Sequence, residues 1–294
     1  MNKADNSKLV SQFYLVVFID ILGQRESLRN ITFLPGNDQE KERFYKHLKE
    51  TLGKVLKLRK LFDTFFNGIM SRIPNTDLVP PEHRQAFLAS QETVLHSYGI
   101  SDSIIISVPL SNEKENENCT PMNGVYAALV ATACLGLSTF AHQIIWRAGL
   151  DVGICTKIRD NEIYGPALER AYYLESQLAE YPRFVIGDVL INYLSSIQEQ
   201  KCMTPLGQIA KNLANFCREM IIQDTDGRYM LDFLGEKSKE MFVKAGIGVE
   251  NFTLARDFIF SEYEKYIKED NHKLASRYYR LMKYFYFRRE LWKA

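Results

Sequence analysis

The chain has 294 residues, 46% of them hydrophobic, enough for one large domain with an appendage or for two small ones. Its 37 Lys and Arg against 36 Asp and Glu leave a formal charge of +1, so no whole-molecule field draws nucleic acid or anionic lipid, and an anionic ligand must be met locally. The 5 cysteines are odd in number and lack C-x-x-C or other metal-type spacing, which argues against a disulfide framework or a zinc site and fits a reducing cytoplasm.

Met1 to Lys8 is polar and lacks the apolar stretch of a signal peptide, so export by that route is not expected. Phe13 to Leu22 (FYLVVFIDIL) is a continuous apolar and β-branched run ended by Gly23, the pattern of a strand buried on both faces, with Asp20 near its end. Asp38 to Phe66 is charged, with Phe44, Leu48, Leu52, Val55, Leu56 and Leu58 at helical spacing, so at least two helices are expected between this strand and the next. Asn75 to His83, beside Pro74 and containing Pro80 and Pro81, predicts a loop. Val94 to Leu110 predicts a hairpin that turns at Gly99-Ile100-Ser101-Asp102, with Asp102 at its tip.

Ser111 to Asn118 is a polar surface loop, and Met122 to Trp146 an apolar helix. The apolar run Val125 to Phe140 falls short of the roughly 20 residues a bilayer requires and carries Thr132 and Ser138, so a buried helix is expected rather than a membrane span. Arg147 to Lys157 predicts a third long strand, paired with Glu162 to Tyr164 across Arg159-Asp160-Asn161. Gly165-Pro166 opens a helix over Ala167 to Ala179, followed by a strand at Arg183 to Ile186, a helix over 187 to 200 and a hairpin from Met220 to Phe233 turning at Asp226-Gly227. From Gly235 to Leu291 the pattern is helical and ends in an aromatic and basic stretch, Arg277 to Arg289. The order βααββαβ, with further helices and strands, predicts an α+β domain around a mixed sheet.

Asp20 and Asp102 each close an apolar strand of what should be one sheet. A buried carboxylate is costly unless it is paired or metal-bound. Two such groups at adjacent strand ends suit shared divalent cations, and Mg²⁺ takes one or two carboxylates while leaving positions for water and phosphate. On the strand pattern alone, a turn cap and a solvent-facing acid explain them equally well. Arg147 reads either as a phosphate contact or as the partner of a strand-end carboxylate. His96 and His142 have no second histidine at a ligand spacing, no Ser-His-Asp or Cys-His set stands out, and the aromatic tail reads as packing surface.

Asp20-Ile21-Leu22-Gly23 on an apolar strand, Ser101-Asp102-Ser103 at a hairpin tip, Arg147 to Gly153 (RAGLDVG) and Gly165 to Ser176 (GPALERAYYLES) come in the order of the class III nucleotidyl cyclase catalytic domain, which the chain resembles over about residues 12 to 235. Within that superfamily it is most similar to the bacterial pyrimidine nucleotide cyclases of Pycsar-type antiphage defence, which carry a D-I-L-G strand, an S-D-S hairpin and a Y-P-R strand such as Tyr181-Pro182-Arg183. The resemblance implies a ferredoxin-like catalytic fold over about residues 10 to 235 with a helical insertion at about 26 to 90, followed by a helical extension over 236 to 294. It also implies a homodimer with sites at the subunit interface, each holding two Mg²⁺ or Mn²⁺ ions on Asp20, Asp102 and the carbonyl of Ile21.

By the same resemblance the purine cyclases' base-reading lysine and aspartate align with Tyr98 and Glu162, their ribose-orienting asparagine with Glu169, and their transition-state arginine with Tyr173. Arg170, Arg147 and Arg228 are the cations available to replace that arginine. A rigid ring at Tyr98 shortens the base pocket to one-ring size, and Glu162 can accept from the N3–H of uracil but not from cytosine, which favours UTP over CTP. The expected activity is conversion of UTP to 3′,5′-cyclic UMP and pyrophosphate, giving an antiviral second messenger read by a separate effector. The rivals are a cytidylate cyclase making cyclic CMP, a non-catalytic nucleotide-binding regulator on the same fold, and an interaction protein using its insertion and tail. No nucleic-acid or membrane partner is expected.

Overall fold

The apolar run at the start of the chain forms β1 (Val10–Ile21), which is hydrogen-bonded along both edges, antiparallel to β3 (Ser103–Pro109) and to β4 (Trp146–Arg159). A strand in mid-sheet with both faces covered has no side that favours polar residues, so its pattern is continuous rather than alternating. In this computed structural model the described residues are 10–24, 34–71, 81–82, 84–85, 93–110, 122–159, 162–201 and 204–293. The loop expected at Asn75 to His83 lies mostly outside them, and so does much of the insertion; the loop at Ser111 to Asn118 lies wholly outside, as do Asp160 and Asn161 of the expected turn.

The first half builds one unit: β1, α1 (Asp38–Met70), β2 (His96–Ile100), β3, α2 (Met122–Phe140), β4. Its strands lie in the order β2-β3-β1-β4, all neighbours antiparallel, which is the ferredoxin-like βαββαβ arrangement within a mixed α+β fold. The sheet continues past β4 through β6 (Phe184–Ile186), parallel to it, and then β8 (Tyr229–Leu231) and β7 (Ile221–Gln223), while β5 (Glu162–Tyr164) pairs with the far end of β4.

Helices α1 and α2 cover one face, where Leu15, Val17, Ile19, Ile104 and Ile106 meet Val55, Leu58, Phe62 and Phe66. Of the helices expected between β1 and the next strand, the charged text over 38 to 66 forms a single continuous one. Asn37 caps it by accepting from the Glu40 amide at 2.9 Å, and no proline interrupts it. Its buried stripe is Thr51, Val55, Leu58, Phe62 and Phe66, whereas Leu52 and Leu56 face out.

Helix α2 is apolar all round because α1, the sheet, α5 (Pro205–Glu219), α6 (Glu236–Lys244) and α7 (Val249–Lys268) surround it. It has the length and composition to cross a membrane, yet 89% of it is buried inside the protein. It ends six residues earlier than the sequence pattern suggests: Gln143 takes a left-handed φ of 61° and the chain enters β4 at Trp146. Trp146 is fully buried, and its Nε1 donates to Thr139 Oγ1 at 2.8 Å, which in turn donates to the Leu135 carbonyl at 2.6 Å. Thr139→Val strands the indole N–H, so a loss of about 1–3 kcal/mol is expected in urea unfolding, read as a lower midpoint at constant slope.

The other face carries Tyr14, Val16, Phe18, Tyr98 and Ile105, part-covered by α3 (Pro166–Tyr173) through Ala167 and Ala171. Helix α3 approaches β4 so closely that a Cβ on Gly149 would stand 2.1 Å from the Ala171 carbonyl oxygen, which makes glycine obligatory there. It continues as a π turn, Leu174–Leu178, then α4 (Asp188–Glu199) follows β6. Helix α5 was not anticipated, although Thr204 caps it by accepting from the Gly207 amide at 3.1 Å and Pro205 sits in its first turn.

Helices α6, α7 and α8 (His272–Trp292) form the helical run expected after Gly235. Phe252, Ile259, Phe285 and Trp292 are fully buried in the same continuous cluster as the helix-covered face of the sheet. Tyr284 Oη donates to Asp232 Oδ1 at 2.6 Å and accepts from the Leu234 amide at 2.9 Å, and Arg288 also pairs with Asp232, tying α8 to the segment after β8.

Candidate active site

Asp20 is the penultimate residue of β1 and the last one paired with β3, on the same face as Phe18. It stands opposite Ser103 on β3 and Arg147 on β4, so three neighbouring strands deliver a hydroxyl, a carboxylate and a guanidinium to one row. Asp20 is buried; its Oδ1 accepts from Ser103 Oγ at 3.2 Å and its Oδ2 lies 3.6 Å from Arg147 Nη2. Asp102 is half-buried in the turn between β2 and β3, and its carbonyl accepts from the Ile21 amide at 3.4 Å. The two aspartates, far apart in sequence, are therefore held on adjacent strand ends by main-chain bonding. Just beyond, Gly23 adopts a left-handed φ of 84° that frees the chain to leave the sheet.

Arg147 is the hub of the row. Its Nε pairs with Glu175 Oε1 at 2.5 Å and its Nη1 donates to the Ala179 carbonyl at 3.1 Å, Glu175 being a fully enclosed acid on the π turn. Of the two sequence readings of Arg147, the structure shows the pair with the strand-end carboxylate, and Arg147 also lines a cavity. That cavity, about 760 Å³, has Asp20 to Gly23 and Arg147 at its base and α7 and α8 as its wall. Among its described lining residues, the cations Lys54, Arg147, Lys265, Lys273 and Arg277 outnumber the carboxylates Asp20 and Glu262.

A second depression, about 790 Å³, lies on the α3 face of the sheet and is lined by Phe18, Ile100, Ser103, Tyr164, Glu169 and Tyr172. Ile100, Tyr164 and Tyr172 are large, apolar and exposed at 66%, 73% and 51%. Glu169 lines this depression and Tyr173 is exposed on the same helix, whereas neither lines the Asp20 cavity. Glu162 is exposed on β5. Tyr98 is buried against Ile105 and Phe18, and among the described residues its hydroxyl has no hydrogen-bond partner. Within one chain the structure thus gathers Asp20, Ile21 and Asp102 at neighbouring strand ends, and leaves Glu162, Glu169 and Tyr173 outside the cavity over Asp20.

The three candidate replacement arginines separate cleanly. Arg170 is committed elsewhere: its Nε donates to Asp151 Oδ2 at 2.9 Å and its Nη2 to the Val152 carbonyl at 2.7 Å. Burial pushes the Asp151 carboxyl up from its ordinary range, against the lowering pull of the Val152 and Leu190 amides and of Arg170. Arg228 faces Asp226 at 3.6 Å on the β7–β8 hairpin. Arg147 alone of the three lines the Asp20 cavity. Arg183 of the Tyr181-Pro182-Arg183 run is wholly buried between Asp224 and Asp226 and clamps β6 to that hairpin, while Pro182 reaches the cavity wall. His142 is exposed, with Nδ1 2.8 Å from the Ser138 carbonyl.

Lys54, Glu175, Lys273 and Arg277 were not singled out from the sequence. Each lies on a helix or helical turn whose local pattern explains its position without reference to a distant strand. No group of three His, Cys, Asp or Glu that could hold a metal occurs among the described residues. The donors present are nonetheless of the right kind for a hard cation: two carboxylates and a main-chain carbonyl at one sheet edge.

No family model matches the chain, and no curated protein does. Among solved structures it is similar to the catalytic core of a rhodopsin-guanylyl cyclase with converted specificity in complex with ATPαS, at 12% identity and a TM-score of 0.38 over 76% of this chain and 98% of that one. It is also similar to a bacterial light-regulated adenylyl cyclase, at 12% identity and a TM-score of 0.36 over 85% of this chain and 99% of that one. Overlaps this loose carry no weight for function, and the fold rests on strand order and register.

Proposed function

We propose that the chain is a nucleotidyl cyclase that converts UTP to 3′,5′-cyclic UMP and pyrophosphate. The observation that carries this reading is the placement of Asp20 and Asp102 on adjacent strand ends of a βαββαβ sheet, with Asp20 at the base of a cation-lined cavity of nucleotide size. Asp20, Asp102 and the Ile21 carbonyl are the groups that would hold Mg²⁺ or Mn²⁺, two ions per site. Bound there, such ions supply a lowered pKa for the ribose 3′-hydroxyl and neutralisation of the triphosphate.

The chain's own residues do the rest. Arg147, held by Glu175 and the Ala179 carbonyl, fixes the Asp20 carboxylate and adds a positive charge beside the departing phosphates. Tyr98 and Glu162 read the uracil edge, and Glu169 and Tyr173 orient the nucleotide. Because Glu169 and Tyr173 do not line the cavity over Asp20, a complete site requires them from a second copy, and the exposed Ile100, Tyr164 and Tyr172 supply an apolar surface for that contact. The enzyme acts in the cytoplasm as a homodimer, and its product is a defence signal read by a separate cyclic-nucleotide effector.

Incubation of the purified protein with each of the four ribonucleoside triphosphates and Mn²⁺ or Mg²⁺, followed by mass detection, should yield cyclic UMP in excess of the other three products. Predominant cyclic CMP would move the assignment to the cytidylate rival, equal use of ATP would refute the one-ring pocket, and binding without pyrophosphate release would make the protein a regulator.

A further inference from the structure

We propose that the C-terminal helices complete the polyphosphate end of this site within the same chain, with Lys273 and Arg277 of α8 and Lys54 of α1 holding the outer phosphates. The inference rests on the nucleotide reading for the identity of the ligand, but the anion site itself stands on geometry. The molecule as a whole is nearly neutral, but its basic C-terminal helix brings Lys273 and Arg277 to this cavity beside Lys54 and Arg147, a local concentration of positive charge. In a concave, part-enclosed space such a cluster focuses positive potential.

The partners of these cations differ. Arg147 is engaged by Asp20 and Glu175. Lys265 is 3.4 Å from Glu262 and sits over the Tyr266 ring at 4.9 Å. Lys54, Lys273 and Arg277 form no ion pair or hydrogen bond with any described residue. Lys273 and Arg277 are four apart on α8 and so share a helix face, directed at the cavity they both line. Arg277 is half-buried; burial and the neighbouring charge of Arg147 push its pKa down, opposed by Glu180. Two guanidiniums set near each other, one without a direct counter-ion, form an arrangement that a multiply charged anion stabilises.

The arms are also preorganised. Phe285 and Trp292 anchor the second half of α8 in the core, Tyr284 and Arg288 tie it to Asp232, and the Tyr278 ring packs on Tyr266 of α7 at 5.4 Å. An anion entering the cavity meets a helix already in place, which lowers the ordering cost of binding, with the exposed Lys54 and Lys273 side chains left to order. The cavity volume suits a nucleotide, and its position over Asp20 points the outer phosphates toward α8 while the ribose end faces the strand edge.

The test uses the full chain and two probes, inorganic tripolyphosphate and Mg²⁺–UTP, in calorimetry at fixed ionic strength, together with steady-state kinetics. Lys273→Ala with Arg277→Ala should weaken tripolyphosphate binding at least about tenfold and raise KM for UTP more than it lowers kcat. Arg277→Lys should restore part of the affinity, and Lys283→Ala, an exposed cation outside the cavity, should change neither. The unfolding midpoint of the double variant should stay close to that of the parent, because neither side chain has an ion pair or hydrogen bond with a described residue to lose. Unchanged tripolyphosphate affinity and unchanged KM in the double variant, with UTP still cyclised, overturn the inference and leave the cyclase reading intact. Lys273- and Arg277-dependent tripolyphosphate binding without turnover of any nucleotide overturns the cyclase reading and leaves the anion site standing.

Discussion

Asp20→Asn lowers the rate of cyclic UMP formation by about 10²–10³-fold or more, the scale of removing a group that stabilises charge developing in the transition state. The fold survives, for a reason the sequence alone does not give. Relief of repulsion between two acids would be the simple expectation, but Asp20 lies 3.6 Å from Arg147, so the substitution breaks an ion pair instead. Arg147 keeps Glu175 at 2.5 Å and the Ala179 carbonyl at 3.1 Å, and the asparagine oxygen can still accept from Ser103. The stability loss is therefore about 1–2 kcal/mol rather than the larger cost of an orphaned buried charge. Circular dichroism and urea unfolding check the first half, and pyrophosphate release the second; near-native turnover by Asp20→Asn or Asp102→Asn would end the metal assignment. Mixing Asp20→Asn with Tyr173→Ala, each inactive alone, should restore roughly a quarter of wild-type activity on random reassortment, since each heterodimer regains one intact site. Heterodimers that form and stay inactive would rule out a composite site.

Arg170→Ala should destabilise the protein by about 3–5 kcal/mol at pH 7 without a direct effect on the chemistry, because the group left behind is a buried carboxylate. Asp151 is 1% exposed, and its Oδ1 already accepts from the Val152 amide at 2.9 Å and the Leu190 amide at 2.8 Å, so it joins β4, α3 and the start of α4. The Asp151 carboxyl is raised above 3.8 even with Arg170 present, and losing that guanidinium raises it further. A carboxyl whose folded pKa exceeds its unfolded value binds more protons when folded, so stability rises as the pH falls through the folded pKa toward 3.8. The deficit of Arg170→Ala should then shrink between pH 7 and pH 5 in urea unfolding. Adding Asp151→Asn should recover part of it, since the neutral amide no longer requires a counter-ion. A pH-independent deficit below about 1 kcal/mol would show that the pair is not acting as a buried ion pair.

The sequence by itself determined the elements and much of their order. The unbroken apolar text of Phe13 to Ile19 reads as a strand covered on both faces, and the turn residues before Ser103 and at Asp226-Gly227 are where the hairpins fold. It also set apart Asp20, Asp102 and Arg147, because each sits at the end of a strand-like run and carries a charge that run cannot bury unaided. Periodicity reports which side of an element is buried, not what buries it, and that is where the tertiary structure decided. It chose Asp151 as the partner of Arg170, Glu175 as the second partner of Arg147, and α8 as the wall over Asp20. Those choices depend on contacts between residues far apart in the chain, which leave no local pattern: Lys273 and Arg277 look in sequence like the solvated face of an amphipathic helix, and only the packing of Phe285 and Trp292 into the core turns that face onto the strand end.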